Sequence, residues 1–366
     1  MKILHIVSNI SVRNGIMSVI MSYYRNMNKD DFSFEFLYFD DREITYKEEI
    51  EKLGGKVHKI NRSKNIFSFF YDIHTFIKKN ALKYQVIHIH EIYLMCTLLG
   101  IKNSNKNLKV VAHAHATRFS ENKFNDIRNR LVSFNRSITP NNYLACSKAA
   151  GIAIFGKKFE KNGQVLNNAI NLSKFKEDSK IRNTIRKQLG LENKYVIGHV
   201  GNFNQQKNHT FLIDVFYELQ KKQKDAVLVL VGDGIKREEI LEKCRLLNIL
   251  EKVIYLGVRN DINNIMNSFD CFVLPSIYEG LGIVLIEAQA TGLPCVFTNT
   301  VPQEANILTE SNTILSLKDE LQKWVDAIIK SKNIKIVSSK REICNSGYDI
   351  KIEAKKLEKY YKKIVG

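Results

Sequence analysis

The chain has 366 residues, 44% of them hydrophobic, with four prolines and no low-complexity tract, which at ~150 residues per domain suits two globular domains with full cores. No run approaches the ~18 uninterrupted apolar residues of a membrane span, and the opening MKILHIVSNI carries too short an apolar run for a secretory signal, so a cytoplasmic setting is expected. The formal charge of +18 suits nucleic acid, an anionic membrane surface or a phosphate-bearing substrate, and decides among none of them.

In chain order, strand-like runs alternate with amphipathic stretches. KILHIVS, FSFEFLYF, QVIHIH, LKVVAHAH and YLACS read as strands, with GIMSVIMSYYRNM and IFSFFYDIHTFIKK as helices between them. A polar, charged stretch follows, NLSKFKEDSKIRNTIRKQLGLENK. It reads as a domain boundary, and the pattern restarts near residue 195. YVIGHVG, AVLVLVG, KVIYLG, CFVLP and PCVFT are strands, while HTFLIDVFYELQKK and REEILEKCRLLN show the three- and four-residue apolar spacing of helices. Short runs buried on both faces and separated by helices predict parallel sheets in α/β layers. The expected fold is therefore two doubly wound, Rossmann-like domains, residues 1–175 and 176–345, facing a central cleft. A basic amphipathic helix over residues 346–366 is expected to pack across the domain junction. The six cysteines form no CxxC pair and read as buried, reduced thiols.

The second half carries the densest chemistry. In VGNFNQQKNHTFLIDVF a strand, a polar turn and a helix succeed one another, and Lys207 in the turn is a candidate phosphate ligand, assisted by backbone amides and the helix dipole. VGDGIKREE has Arg237 where a dinucleotide fingerprint needs its third glycine, so it reads as a tight turn. PSIYEGLGIVLIEAQATGLPCV places Glu279 and Glu287 in apolar surroundings, where an unpaired carboxylate costs several kcal/mol. Gly280 and Gly282 break helical continuity, so a helix should start near Ile283, with Glu279 in the loop and Glu287 one turn inside. Glycine amides approach a phosphate or sugar closely, and a carboxylate accepts two parallel hydrogen bonds from a vicinal diol. In the first half, His113 and His115 end a strand and point the same way. HIH at 88–90 and HAH at 113–115 also allow a zinc reading, but no third or fourth ligand recurs at metal spacing, and no metal is expected.

GHVGNFNQQKNH, LVLVGDG, YLGVRNDI and EGLGIVLIEAQATGLPCV, taken in order and together with VIHIHE, VVAHAH, YLACSKAAGIAIFG and VLNNAINLSKF, resemble the retaining nucleotide-sugar glycosyltransferases of family 4. They are most similar to the bacterial exopolysaccharide and capsule enzymes. The resemblance implies the GT-B fold and a nucleoside-diphosphate-sugar donor, by preference a UDP-sugar, with transfer of a hexose or N-acetylhexosamine to a lipid-linked or growing glycan. It implies Glu287 on the ribose diol, Glu279 on the donor-sugar hydroxyls, and Gly280, Leu281 and Gly282 lining sugar and phosphates. Lys207 would neutralise the departing diphosphate, and Arg259 would meet the base. Gly15 lies in the loop facing the donor phosphate, and His115, with His113 second, near the reacting centre. One position departs from the family: Asn202 stands where a second diphosphate-binding Arg is usual, and Arg13 is a candidate substitute. The basic segments TRFSENKFNDIRNRLVSFNRS and GKKFEKNG suit peripheral attachment to an anionic membrane face. No cofactor is expected. A nucleotide-sugar epimerase of the same architecture is the first alternative. A basic nucleic-acid-binding protein is the second, although no RNP, KH, zinc-finger or helix-turn-helix signal supports it.

Overall fold

A computed structural model describes residues 1–12, 14–63, 65–101, 105–116, 142–334 and 340–366. The chain forms two compact units, Met1–Ala169 with Ile350–Gly366, and Ile170–Asp349. The first holds a seven-stranded sheet of β1 (Lys2–Ile6), β2 (Ser33–Tyr38), β3 (Lys56–Lys59), β4 (Val86–Ile89), β5 (Lys109–Ala114), β6 (Asn142–Ala145) and β7 (Gly163–Val165), in the order β3-β2-β1-β4-β5-β6-β7. The second holds β8 (Tyr195–Val200), β9 (Ala226–Val231), β10 (Val253–Tyr255), β11 (Cys271–Leu274), β12 (Cys295–Thr298) and β13 (Asn312–Leu315), in the order β10-β9-β8-β11-β12-β13. Every strand pairing is parallel.

The central strands form because their runs are apolar on both faces: all six residues of β9, AVLVLV, are buried. β3 and β13, which the periodicity does not mark, are short edge strands with part-exposed residues. In each sheet the strand order reverses once, between β1 and β4 and between β8 and β11. Such switch points leave a crevice at the carboxyl ends of the strands.

The division falls between Ala169 and Ile170, ahead of the polar stretch. Part of that stretch is the helix Ser179–Gln188, which has no buried residue of its own. Arg186 ties it to its unit by a bond to Asp270 (3.1 Å) and another to the Ser268 carbonyl (2.9 Å). The last helix, Ile350–Val365, belongs to the first unit, where it packs on the helix Gly15–Asn26. All six cysteines are free thiols, and Cys146, Cys244, Cys271 and Cys295 are buried. Among the described residues no helix is long and apolar enough to cross a membrane.

Candidate active site

In the second unit the loops leaving β8 and β11, the two strands at the switch point, are stitched together by the Ile277 amide donating to the Gln206 carbonyl (2.8 Å). The first loop presents Lys207 just ahead of the helix His209–Lys222, its amide held by Asn204 Oδ1 at 3.1 Å. The second presents Glu279. Lys207 Nζ lies 2.6 Å from Glu279 Oε1, which also accepts from Ser276 Oγ at 2.7 Å. Gln206 Nε2 reaches Oε2 at 3.3 Å and the Tyr278 carbonyl at 3.1 Å. Glu279 is only 7% exposed, and this set of donors is why a carboxylate is tolerated there.

Gly282, at φ +82°, opens the helix Ile283–Ala290 in a left-handed conformation that a side chain would strain. The helix starts where the glycines predict. Gly280, Leu281 and Gly282 form its approach, and Glu287 sits one turn inside. The Glu287 side chain keeps partial contact with solvent but lies deep in the unit. Burial pushes its pKa up to about 8, against a smaller downward pull from the Lys207 ammonium. At neutral pH the two glutamates therefore differ: Glu279 is ion-paired, while Glu287 holds a proton ready to leave.

The GDG turn has a reason that its short motif does not disclose. A Cβ on Gly232 would meet the Gly201 carbonyl oxygen at 2.1 Å, and one on Gly234 would meet the Phe203 carbonyl oxygen at 2.6 Å. These glycines let the β8 and β9 loops touch backbone to backbone. Gly232 N in turn donates to the Gly257 carbonyl (2.8 Å), which brings the β10 loop and Arg259 to the same sheet edge. Arg259 is exposed and forms two parallel bonds to Asp261, both 2.9 Å, so its guanidinium already has a carboxylate partner. Asn202 is exposed in the β8 loop.

Two residues escaped the sequence reading. His199 on β8 gives one ring N–H to the Val273 carbonyl at 2.8 Å and keeps Nε2 buried without a partner. Beside it, His209 leaves both ring nitrogens unpartnered. Burial drives their pKa values down to about 4 and about 2. The only sequence cue was a His at either end of the turn that carries Lys207.

In the first unit, Gly15 starts its helix beneath an Asn14 cap whose Oδ1 accepts from Ile16 N at 2.9 Å. Nothing crowds the Cβ position of Gly15. Arg13 and Thr117–Ser137 lie outside the described residues. In GKKFEKNG, the helix Lys157–Asn162 buries Phe159 and exposes Lys157 and Lys161.

The histidines depart from expectation. β4 and β5 are neighbours, and β1 adds His5 in register with His88. His5, His88, His90, His113 and His115 thus share one sheet face. His90 Nδ1 lies 2.7 Å from His115 Nε2, and His90 Nε2 lies 2.9 Å from His5 Nδ1. His88 Nε2 lies 3.1 Å from His113 Nδ1, and His88 Nδ1 lies 2.6 Å from the Tyr361 hydroxyl. The sequence offers no third ligand at metal spacing beside either HxH pair, but the sheet order brings histidines remote in sequence to both. Burial lowers His5 and His115 to about 3 and holds His88, His90 and His113 well below their ordinary value, so all are neutral at pH 7. At the end of β4, Glu91 accepts the Ser8 amide at 3.1 Å, and burial raises its carboxyl.

The family description "Glycosyl transferases group 1" matches residues 181–346, the stretch that carries Lys207, Glu279 and Glu287. EpsF of Bacillus subtilis, named as a glycosyltransferase, is 32% identical over 344 residues, spanning 90% of this chain and 87% of its own. The chain belongs to the group 1 glycosyltransferases. A second relative of this transferase is the UDP-Gal:alpha-D-GlcNAc-diphosphoundecaprenol alpha-1,3-galactosyltransferase of Escherichia coli, 28% identical over 205 residues, 54% of this chain and 53% of that one. Among solved structures, Anabaena HepE in complex with UDP superposes with a TM-score of 0.80 at 18% identity, covering 99% of this chain and 100% of that one. The two Rossmann-like sheets are those of GT-B glycosyltransferases.

Proposed function

We propose that this glycosyltransferase is a retaining enzyme of family 4. It moves a hexose or N-acetylhexosamine from a UDP-sugar to a sugar hydroxyl of a polyprenyl-diphosphate-linked or growing glycan, in exopolysaccharide, capsule or O-antigen synthesis. The observation that carries this reading is the meeting, at one switch point, of a cation, a donor-saturated carboxylate and a second acid with a raised pKa. The Escherichia coli relative named for UDP-Gal and a diphosphoundecaprenol acceptor and the UDP-bound HepE lend it support.

In this reading Glu287 releases its proton and accepts both hydroxyls of the ribose. Glu279 takes hydroxyls of the donor sugar, and the backbone of Gly280, Leu281 and Gly282 lines sugar and phosphates. Arg259 exchanges Asp261 for the base. As the bond from C1 to the diphosphate breaks, charge grows on the leaving oxygen. Lys207, Asn202 and the dipole of the following helix stabilise that charge electrostatically. The acceptor oxygen bonds to C1 on the same face, and its proton passes to the departing diphosphate. No metal is required at the diphosphate, and the excess of basic residues favours peripheral attachment to an anionic membrane face.

The test is incubation with UDP-sugars in the presence and absence of a polyprenyl-diphosphate-linked acceptor. Acceptor-dependent UDP release and an α-anomeric product by NMR are expected. Interconversion of the donor alone would instead mark an epimerase. Glu287→Gln should weaken donor binding about 10- to 100-fold by titration calorimetry, the value of one or two hydrogen bonds to a charged group. The same variant should melt higher than the parent at pH 8. An acid whose folded pKa is raised loses stability as pH climbs from 4.5 to about 8, and glutamine removes that loss. Asn202→Arg, which restores a second cation beside the diphosphate, should keep or raise turnover. A large loss would show that the β8 loop is used differently.

A further inference from the structure

The inner part of the histidine face has no role in the sugar chemistry above. His5, His88 and His90 each place one ring nitrogen within 4.8 Å of the others. They stand on the adjacent parallel strands β1 and β4, a rigid base for a fixed set of ligands. We propose that His5, His88 and His90 form a binding site for a divalent transition-metal ion of the zinc class, separate from the donor site.

The donor set fits such an ion. Neutral imidazole is the ligand form for zinc and its neighbours, and burial keeps all three rings neutral far below pH 7. Metal-binding imidazoles generally anchor their second nitrogen to another group. Here His88 Nδ1 has the Tyr361 hydroxyl at 2.6 Å, and His90 Nδ1 has His115 Nε2 at 2.7 Å. The remaining nitrogens face other rings: His90 Nε2 lies against His5 Nδ1, and His88 Nε2 against His113 Nδ1. An ion replaces those ring-to-ring hydrogen bonds with ligand bonds. The fourth position falls to water. Entry is by way of His115, which is part-exposed and belongs with His90 and His113 to a second, outer triad. Once His90 holds the ion through Nε2, its proton is fixed on Nδ1 and is donated to His115.

The test uses the untagged full chain, stripped with chelator and dialysed against zinc or cobalt(II). Elemental analysis should find a single ion per chain, and X-ray absorption of the zinc form should count at least three imidazole ligands. His5→Gln and His88→Gln should each lose that ion, and Tyr361→Phe should weaken it about tenfold. The proposal is overturned if the parent takes up no ion, or if both variants keep it. Uptake that survives His5→Gln but disappears in His115→Gln would assign the ion to the outer triad instead. If a substituted chain fails to fold, the ligand count on the parent decides alone, and fewer than three imidazoles overturns the site.

Discussion

Metal-free, and below about pH 6, the first unit is expected to unfold within roughly one pH unit. His5, His88, His90, His113 and His115 are all held neutral by burial, and the further terms acting on them come only from one another. Each has a folded pKa far below the usual 6.5, so the unfolded chain binds protons that the folded one refuses. Their stability contribution is therefore complete above 6.5 and drains away as pH falls. At ~1.4 kcal/mol per group and pH unit, the set costs about 7 kcal/mol by pH 5.5. That falls within the 5–15 kcal/mol that typically holds a domain together. Among the described residues, the second unit has only His199 and His209 in this condition, and its Trp324, the chain's single tryptophan, is fully buried. An acid titration should thus show loss of far-UV dichroism ahead of any change in tryptophan emission. His5→Phe suits the ring packing against Phe34 and the stack on Phe36 and should make the pH dependence shallower by one proton. Undiminished dichroism and melting temperature at about pH 4.5 would contradict the linkage argument.

The other large effect is expected from Lys207→Met. The variant removes the cation proposed to face the diphosphate and strands Glu279, whose side chain is 6% exposed. Turnover should fall about 10²- to 10³-fold, the usual result of deleting one electrostatic stabiliser of a transition state. Stability should fall by about 2 kcal/mol, because a partly buried carboxylate is left without its counter-ion. The double variant Lys207→Met/Glu279→Gln separates the two effects. It should regain the melting temperature and none of the activity. Wild-type turnover in the single variant would remove Lys207 from the proposed chemistry.

Much of this was legible because local physics dictated it. A run such as AVLVLV has no stable place except a strand covered on both sides, and Gly282 marks the start of the Glu287 helix because only glycine enters its conformation cheaply. The pairing of Lys207 with Glu279 could not be read, since it depends on β8 and β11 being neighbours across 72 residues. His5 was invisible for the same reason. A lone histidine in KILHIVS carries no local signal, and its company comes from β4 and β5 through the sheet order. The GDG glycines read as an ordinary turn because the backbone they accommodate belongs to another loop. Polarity marked the helix Ser179–Gln188, whereas the two compact units divide at the crossing just before it, where Ile170 N bonds the Tyr348 carbonyl (2.9 Å).

That crossing has a consequence for synthesis. The Tyr361 ring, with no exposed surface, roofs the histidines from a helix that begins at Ile350, whereas the strands beneath it are complete by Val165. A ribosome therefore has to deliver the entire intervening unit before the earlier one can close. Until then the nascent sheet keeps its histidine face open to whatever waits near the exit tunnel.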